Sequence, residues 1–142
     1  MHTQQRYRWP ISNDLSGLRR HLYHHTDRAG LVGTRRVDLV LAANEAVINV
    51  LEHGDATGTV IIQYDAQVLT VDIIDAAGRL RAEHAPGECP GPGATRGLGL
   101  WLMGYLCDEF TIDQVDAGSR VRLRMYLHST GPLPRPGDRR RF

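Results

Sequence analysis

The run "SRVRLRMYL", residues 119 to 127, alternates without a break. Val121, Leu123, Met125 and Leu127 fall on one parity, and Arg120, Arg122 and Arg124 on the other. Side chains along a strand point to opposite faces with a period of two. The segment therefore fits a sheet with one wet face and one face that an apolar layer must cover. "TVIIQY" and "VLTVDIID" are β-rich and joined by the short "DAQ", which makes them a hairpin. In the second run Leu69, Val71 and Ile73 are the buried set, because the opposite parity carries Thr70 and Asp72. "FTIDQV" meets the 119–127 run across a turn at "DAG", and "RYRW" before Pro10 reads as one more short strand or arm.

The covering layer has to be helical. Ser12 or Asn13 can cap a first helix, in which Leu15, Leu18 and Leu22 recur at helical spacing before "TDRAG" ends it. Thr34 is the expected cap of a longer helix that Gly54 stops. On it Val37, Val40, Leu41, Val47, Ile48 and Leu51 are expected to share the buried face. "GLGLWLMGYLCDE" is a third, short helix with glycines at its start. The expected fold is an α/β chain in the α+β two-layer sense, with helices on one face of a mostly antiparallel mixed sheet. Residues 1–128 are expected to form one domain and 129–142 a flexible basic tail, since "GPLPRPGDRRRF" has no periodicity. A chain of 142 residues, 42% hydrophobic, suits a single core.

Charge and cysteine content exclude several functions. The formal net charge of +1 gives no global field toward nucleic acid or membrane. Every one of the 17 basic residues is Arg, so no lysine chemistry is available in cis. Cys89 and Cys107 are too few for a disulfide framework or a metal knuckle. "MHTQQRYRWP" lacks a secretory apolar region and no later run is long enough to span a bilayer, so a reduced cytoplasmic protein is expected.

Polar residues interrupt this apolar plan in particular places. In "NEAVINVLEHG", Glu45, Asn49 and His53 lie four residues apart. At about 100° per residue they drift by only about 40° per step, forming a stripe beside the apolar face. Taken alone, the stripe is equally well an ordinary helix boundary, with His53 suiting the helix C-terminus. Asn, however, is a poor residue for a helix interior, and both Asn44 and Asn49 occur here. Asp75 shares the parity of Leu69, Val71 and Ile73, so it points into the helix layer, where an unpaired carboxylate is costly. A ligand amine would satisfy it. "RGLGL" puts Gly97 and Gly99 at a helix start, where bare amides and the dipole can receive phosphate oxygens. Gly118 and Ser119 place a small hydroxyl at a sheet end.

These four segments, in this order, resemble the GHKL (Bergerat-fold) ATPase superfamily, and within it the small anti-sigma factor serine kinases. The resemblance covers roughly residues 34 to 127. "NEAVINVLEHG" matches the N box, E-x3-N-x3-H-G; "DAAGR" sits at the G1 box, "GLGL" at the G2 box, and Gly118-Ser119 in place of the terminal Gly-Thr. The resemblance implies Glu45 as general base and Asn49 as the residue that holds Mg²⁺. It implies a nucleotide site of Asn49, Asp75, Ala77, Gly78, Gly97, Leu98, Gly99, Leu100 and Ser119, with Asp75 accepting the adenine amino group. Residues Ala76 to Thr95 would form the ATP lid. ATP and Mg²⁺ are thus the implied cofactors, and the implied partners are a STAS-type anti-anti-sigma protein, a sigma factor and a second copy of the chain. No direct nucleic acid or membrane partner is expected.

The match departs from the family at G1, D-x-G-x-G. Ala77 and Arg79 hold the glycine positions, and Gly78 is out of frame. Ala77 adds a methyl where the backbone approaches adenine, whereas the Arg79 guanidinium could reach a phosphate. Two functions therefore stay open: an ATP-dependent serine kinase, and a nonenzymatic binding module of the same fold. A sensor histidine kinase is disfavoured, because 142 residues leave no room for a phosphoacceptor helix pair. Elsewhere, His21, His24 and His25 have a spacing that can hold Zn²⁺, but no Cys or carboxylate converges with them by sequence. A solvated helix face is expected there. Trp101 and Tyr105 are expected in the core or a dimer surface.

Overall fold

The computed structural model describes residues 4–53, 57–78 and 98–127. In chain order they form β1 (Gln5–Pro10), α1 (Leu15–Ala29), α2 (Gly33–His53), β2 (Gly58–Tyr64), β3 (Val68–Asp75), α3 (Leu98–Leu106), β4 (Glu109–Val115) and β5 (Gly118–Tyr126). The strands make one five-stranded sheet in the order β1-β2-β3-β5-β4. Every pairing among the described residues is antiparallel, so the parallel component of the expected mixed sheet does not occur. The reason is topological. β3 and β4 run in the same direction, but β5 returns between them and pairs with both. Residues 129–142 and most of the expected lid lie outside the described residues.

The inner face follows the period of two. Val60, Ile62, Tyr64, Leu69, Val71, Ile73, Ile112, Val121, Leu123 and Met125 are all buried. The outer face departs from expectation, for Ile61, Thr70 and Asp72 are buried there as well. Arginines lying across the strands cover them. Arg122 Nε and Nη2 donate to the two carboxylate oxygens of Asp72, both at 2.8 Å. Arg124 Nε donates to Thr70 Oγ1 at 3.3 Å, and Arg120 Nη2 to Asp113 Oδ2 at 3.1 Å. A guanidinium that satisfies its charge in-plane lays its methylene stem flat on the sheet, which is how an alternating "wet" face comes to bury its neighbours.

Helix α2 packs on β3 and β5, with α1 and α3 against it. Its buried face is Asp38, Leu39, Val40, Ala42, Ala43, Ala46, Val47 and Val50, whereas Val37 and Leu41 are 51% and 41% exposed. The buried face is thus rotated from the expected one. The three alanines explain the difference. A helix enclosed by a sheet and two helices needs small side chains for close backbone approach, so the alanines take the tight positions beside Leu39, Val40, Val47 and Val50, and Val37 and Leu41 are turned outward. α2 begins at Gly33, ahead of the expected cap Thr34. Its first turn is anchored by Arg35, which donates from Nη1 to the Tyr126 carbonyl at 2.7 Å and pairs with Asp108.

Helix α1 is capped by Asp14, where Ser12 or Asn13 was expected. The Asp14 carboxylate accepts from the Gly17 amide at 2.9 Å, while Ser12 Oγ accepts from the Asp14 amide just ahead of the helix. Gly30, with φ of 90°, closes the other end in the left-handed conformation.

The histidines of α1 are not a uniformly solvated face. His25 is buried. Its ring lies 4.2 Å from the Tyr7 ring and 6.1 Å from the Trp9 ring, and Nδ1 is 3.5 Å from the Tyr64 hydroxyl. His21 packs on Trp9 at 4.9 Å. Burial first, then the positive neighbours His24, His21 and Arg28, lowers the His25 pKa below its ordinary 6.5. A histidine whose folded pKa is depressed favours the neutral form in the fold. The stability it gives is complete above the unfolded value and is lost as pH falls below it. Urea denaturation between about pH 7.5 and about pH 5 should therefore show stability falling with acid, and His25→Phe, which keeps a ring in the stack, should flatten that fall. An equal slope in both proteins would remove His25 from the acid response.

Candidate nucleotide site

Two anchors bring the polar residues to one end of the sheet. Arg35, near the start of α2, is fixed to Tyr126 at the end of β5. From Arg35 to Asn49 a helix rises roughly 21 Å, and from Tyr126 back to Ser119 a strand spans roughly 23 Å. The two lengths match, so a helix running back along β5 from that anchor brings Asn49 level with the first residues of the strand. There Ser119 stands directly opposite Asp75, the last residue of β3.

The short helix closes the site from the side. A methyl group added at Gly99, in the first turn of α3, would sit 3.7 Å from Glu45 Oε2, 3.9 Å from Asn49 Nδ2 and 4.0 Å from Asn49 Oδ1. The polar stripe of α2 therefore faces the N-terminal end of α3, where unpaired backbone N–H groups and the positive end of the dipole meet. Glycine at this position leaves a cradle that a side chain would fill. Leu100 is 8% exposed and belongs to the core, so only its backbone can serve a ligand. Gly97 and the side chains of Leu98 and His53 lie outside what is described.

The other end is built around Asp75, which is 6% exposed. Its Oδ1 accepts from the Ala77 amide at 3.0 Å, and its carbonyl from the Gly78 amide at 3.0 Å, in a turn where Gly78 adopts a φ of 66°. Gly118 is obligatory there: at a φ of 129°, a Cβ would stand 2.0 Å from the Asp75 carbonyl oxygen. Gly118→Ala should cost about 3 kcal/mol or more, through strain and the displaced Asp75 backbone, read as a lower denaturation midpoint. A midpoint unchanged within error would mean that the two strand ends are not locked together.

Ser119, 1% exposed, accepts from Gln114 Nε2 at 3.2 Å. Gln114 was not among the expected site residues. A signal for it existed, because a two-residue turn at 116–117 must place residue 114 opposite 119. A separate cavity of about 180 Å³ between β1, α1 and α2 is lined by Trp9, Asp14, His21 and Val47. Val47 points to the side of α2 away from Glu45 and Asn49, so this cavity is not part of the same site.

Among the described residues, no three His, Cys, Asp or Glu side chains converge as metal ligands. No described helix is long and apolar enough to cross a membrane. No curated protein matches the chain. The profile of the family described as histidine kinase-like ATPase domain matches residues 12–125, which take in all three helices and strands β2 to β5 as far as Met125. With its α+β sheet, a helix start facing a Glu–Asn stripe and an aspartate at the sheet end, the chain belongs to the histidine kinase-like ATPase domain family, of GHKL type, and binds ATP.

Proposed function

We propose that this protein is an ATP-dependent serine kinase of the anti-sigma factor kind, which phosphorylates a STAS-type anti-anti-sigma protein and, as a homodimer, sequesters a sigma factor. The observation that supports it most is the position of Glu45, one helical turn from Asn49 and facing the Gly99 cradle. Phosphoryl transfer needs positioned phosphates and a group that receives the proton of the attacking hydroxyl. In this reading the acceptor serine oxygen bonds to the γ-phosphorus and the bond from that phosphorus to the bridging oxygen breaks. ADP departs, and Glu45 takes the hydroxyl proton.

Asn49 is the residue that would hold Mg²⁺. A single neutral amide oxygen suits an ion that keeps several waters and takes the rest of its shell from phosphates. When bound, that ion neutralises charge on the β- and γ-phosphates. The Gly99 cradle fits this arrangement, since any side chain there would enter the space beside Asn49 Oδ1. Asp75 and Ser119 hold the base, and the first turn of α3 receives phosphate oxygens through backbone amides.

Ala77, in place of a glycine, favours a second reading, a nonenzymatic module that binds ATP and a protein partner without turnover. Incubation with γ-labelled Mg-ATP and a purified STAS-type anti-anti-sigma protein separates the two. Label on a serine of that protein supports the kinase. ATP binding with no transfer to any STAS-type protein tested supports the module.

A further inference from the structure

We infer that Val37 and Leu41 form the docking surface for the protein that receives the phosphate, an apolar foothold that ends one turn before Glu45. The inference rests on the kinase reading of Glu45 and deepens it. Val37, Leu41, Glu45 and Asn49 follow one another at intervals of four on α2. Each step drifts only about 40° around the helix and advances roughly 6 Å along it. The four side chains therefore make a single row, of which the polar stripe is the second half. Exposure falls along it. Val37 is 51% and Leu41 41% exposed, whereas Glu45 and Asn49 are half-buried beside Gly99.

Apolar side chains at the open end of such a row need a reason. Among the described residues the exposed large hydrophobics are Val32, Val37 and Leu41, all on one short stretch at the start of α2 or just before it. Single exposed apolar residues are ordinary, but neighbours one helical turn apart make a patch. The direction of the reaction says what covers it. In the kinase reading the phosphates lie at the Asn49 end, against the start of α3, and the attacking and leaving oxygens stand roughly in line. The acceptor hydroxyl then reaches Glu45 from the end away from the phosphates, across Leu41. A protein that presents a serine there lays its own surface on Leu41 and Val37. Size favours the same occupant. Two side chains are a small part of the roughly 2,000 Å² or more that an obligate dimer buries, and they suit a substrate that leaves after each turnover.

Val37→Gln combined with Leu41→Gln removes the apolar contact. Both replacements are neutral and favour a helix, so the core and the charge around Glu45 stay as they are. The measurement is steady-state transfer from Mg-ATP to a purified STAS-type anti-anti-sigma protein, with ATP affinity and melting temperature alongside. KM for the protein substrate should rise about tenfold or more, the scale of two apolar side chains no longer buried. The kcat at saturating substrate, the ATP affinity and the melting temperature should hold. Val37→Ile with Leu41→Met, which keeps an apolar surface, should keep the wild-type KM. If the double Gln variant melts low, Leu41→Gln alone carries the comparison. A wild type that transfers phosphate and a Gln variant with the same KM overturn this inference alone. Lost self-association or lost sigma-factor binding with KM unchanged also overturns it, because the patch then serves that other partner. A wild type that transfers phosphate to no STAS-type protein tested overturns the kinase reading, and this inference with it.

Discussion

Glu45→Ala should bind Mg-ATP almost as tightly as the wild type and transfer its phosphate at least roughly a hundredfold more slowly, the contribution expected of a general base. The carboxylate faces the start of α3, whereas Asp75 stands at the end of β3 opposite Ser119, so the substitution does not touch the end of the site proposed to hold the base. Asn49→Ala should behave differently. Its side chain borders the same cradle, and in the proposed role its amide oxygen acts on the phosphates through the ion. Nucleotide affinity should drop when Mg²⁺ is present and stay unchanged in EDTA. Binding is measured by calorimetry and transfer by labelled phosphate on a STAS-type protein. The two mutants together carry more weight than either loss alone. If both bind and transfer like the wild type, neither side chain belongs to the chemistry.

Much of this site was legible because strand parity and helical spacing carry through to the folded chain. Asp75 shares a parity with Leu69, Val71 and Ile73, and it is buried with them. Glu45 and Asn49 were legible as a stripe because an i, i+4 pair stays on one helix face whatever that face packs against. The orientation of α2 itself was not. Val37 and Leu41 look like core and lie outside, whereas Ala42, Ala43 and Ala46 carry little hydrophobic signal and are buried. Hydrophobicity ranks side chains by what they gain on burial, but an enclosed helix is limited by how closely its backbone can approach. His25 was beyond reach for another reason. The partners that bury it, Tyr7 and Tyr64, come from strands far away in sequence, and only the sheet register brings them to one place. The outer face departs from its alternation for the same reason, since the pattern shows arginines but not the pairing that buries Asp72 beneath them.

Asp75→Asn should remove most of the discrimination between ATP and GTP. The Asp75 carboxylate is acceptor-only, and its Oδ1 already accepts from the Ala77 amide, so the geometry that presents it is held by the backbone. An adenine amino group satisfies such a carboxylate. A guanine oxo group sets one acceptor against another at a position 6% exposed, where solvent cannot relieve the conflict. A buried group left without its hydrogen-bond partner commonly rejects the wrong ligand by roughly a hundredfold or more. The side-chain amide of the variant would offer an acceptor or a donor according to how it turns, and so meets either base at a moderate cost. ATP affinity should fall by about tenfold or more, and the ratio of ATP to GTP affinity should move toward unity. Because Asn is nearly isosteric with Asp, the fold should survive and the melting temperature without nucleotide should hold. Competition titration of both nucleotides against wild type and variant measures the ratio directly. A wild type that binds GTP as well as ATP would show that Asp75 does not read the base. A variant that keeps full preference would place the reading elsewhere, at Ser119 on the neighbouring strand.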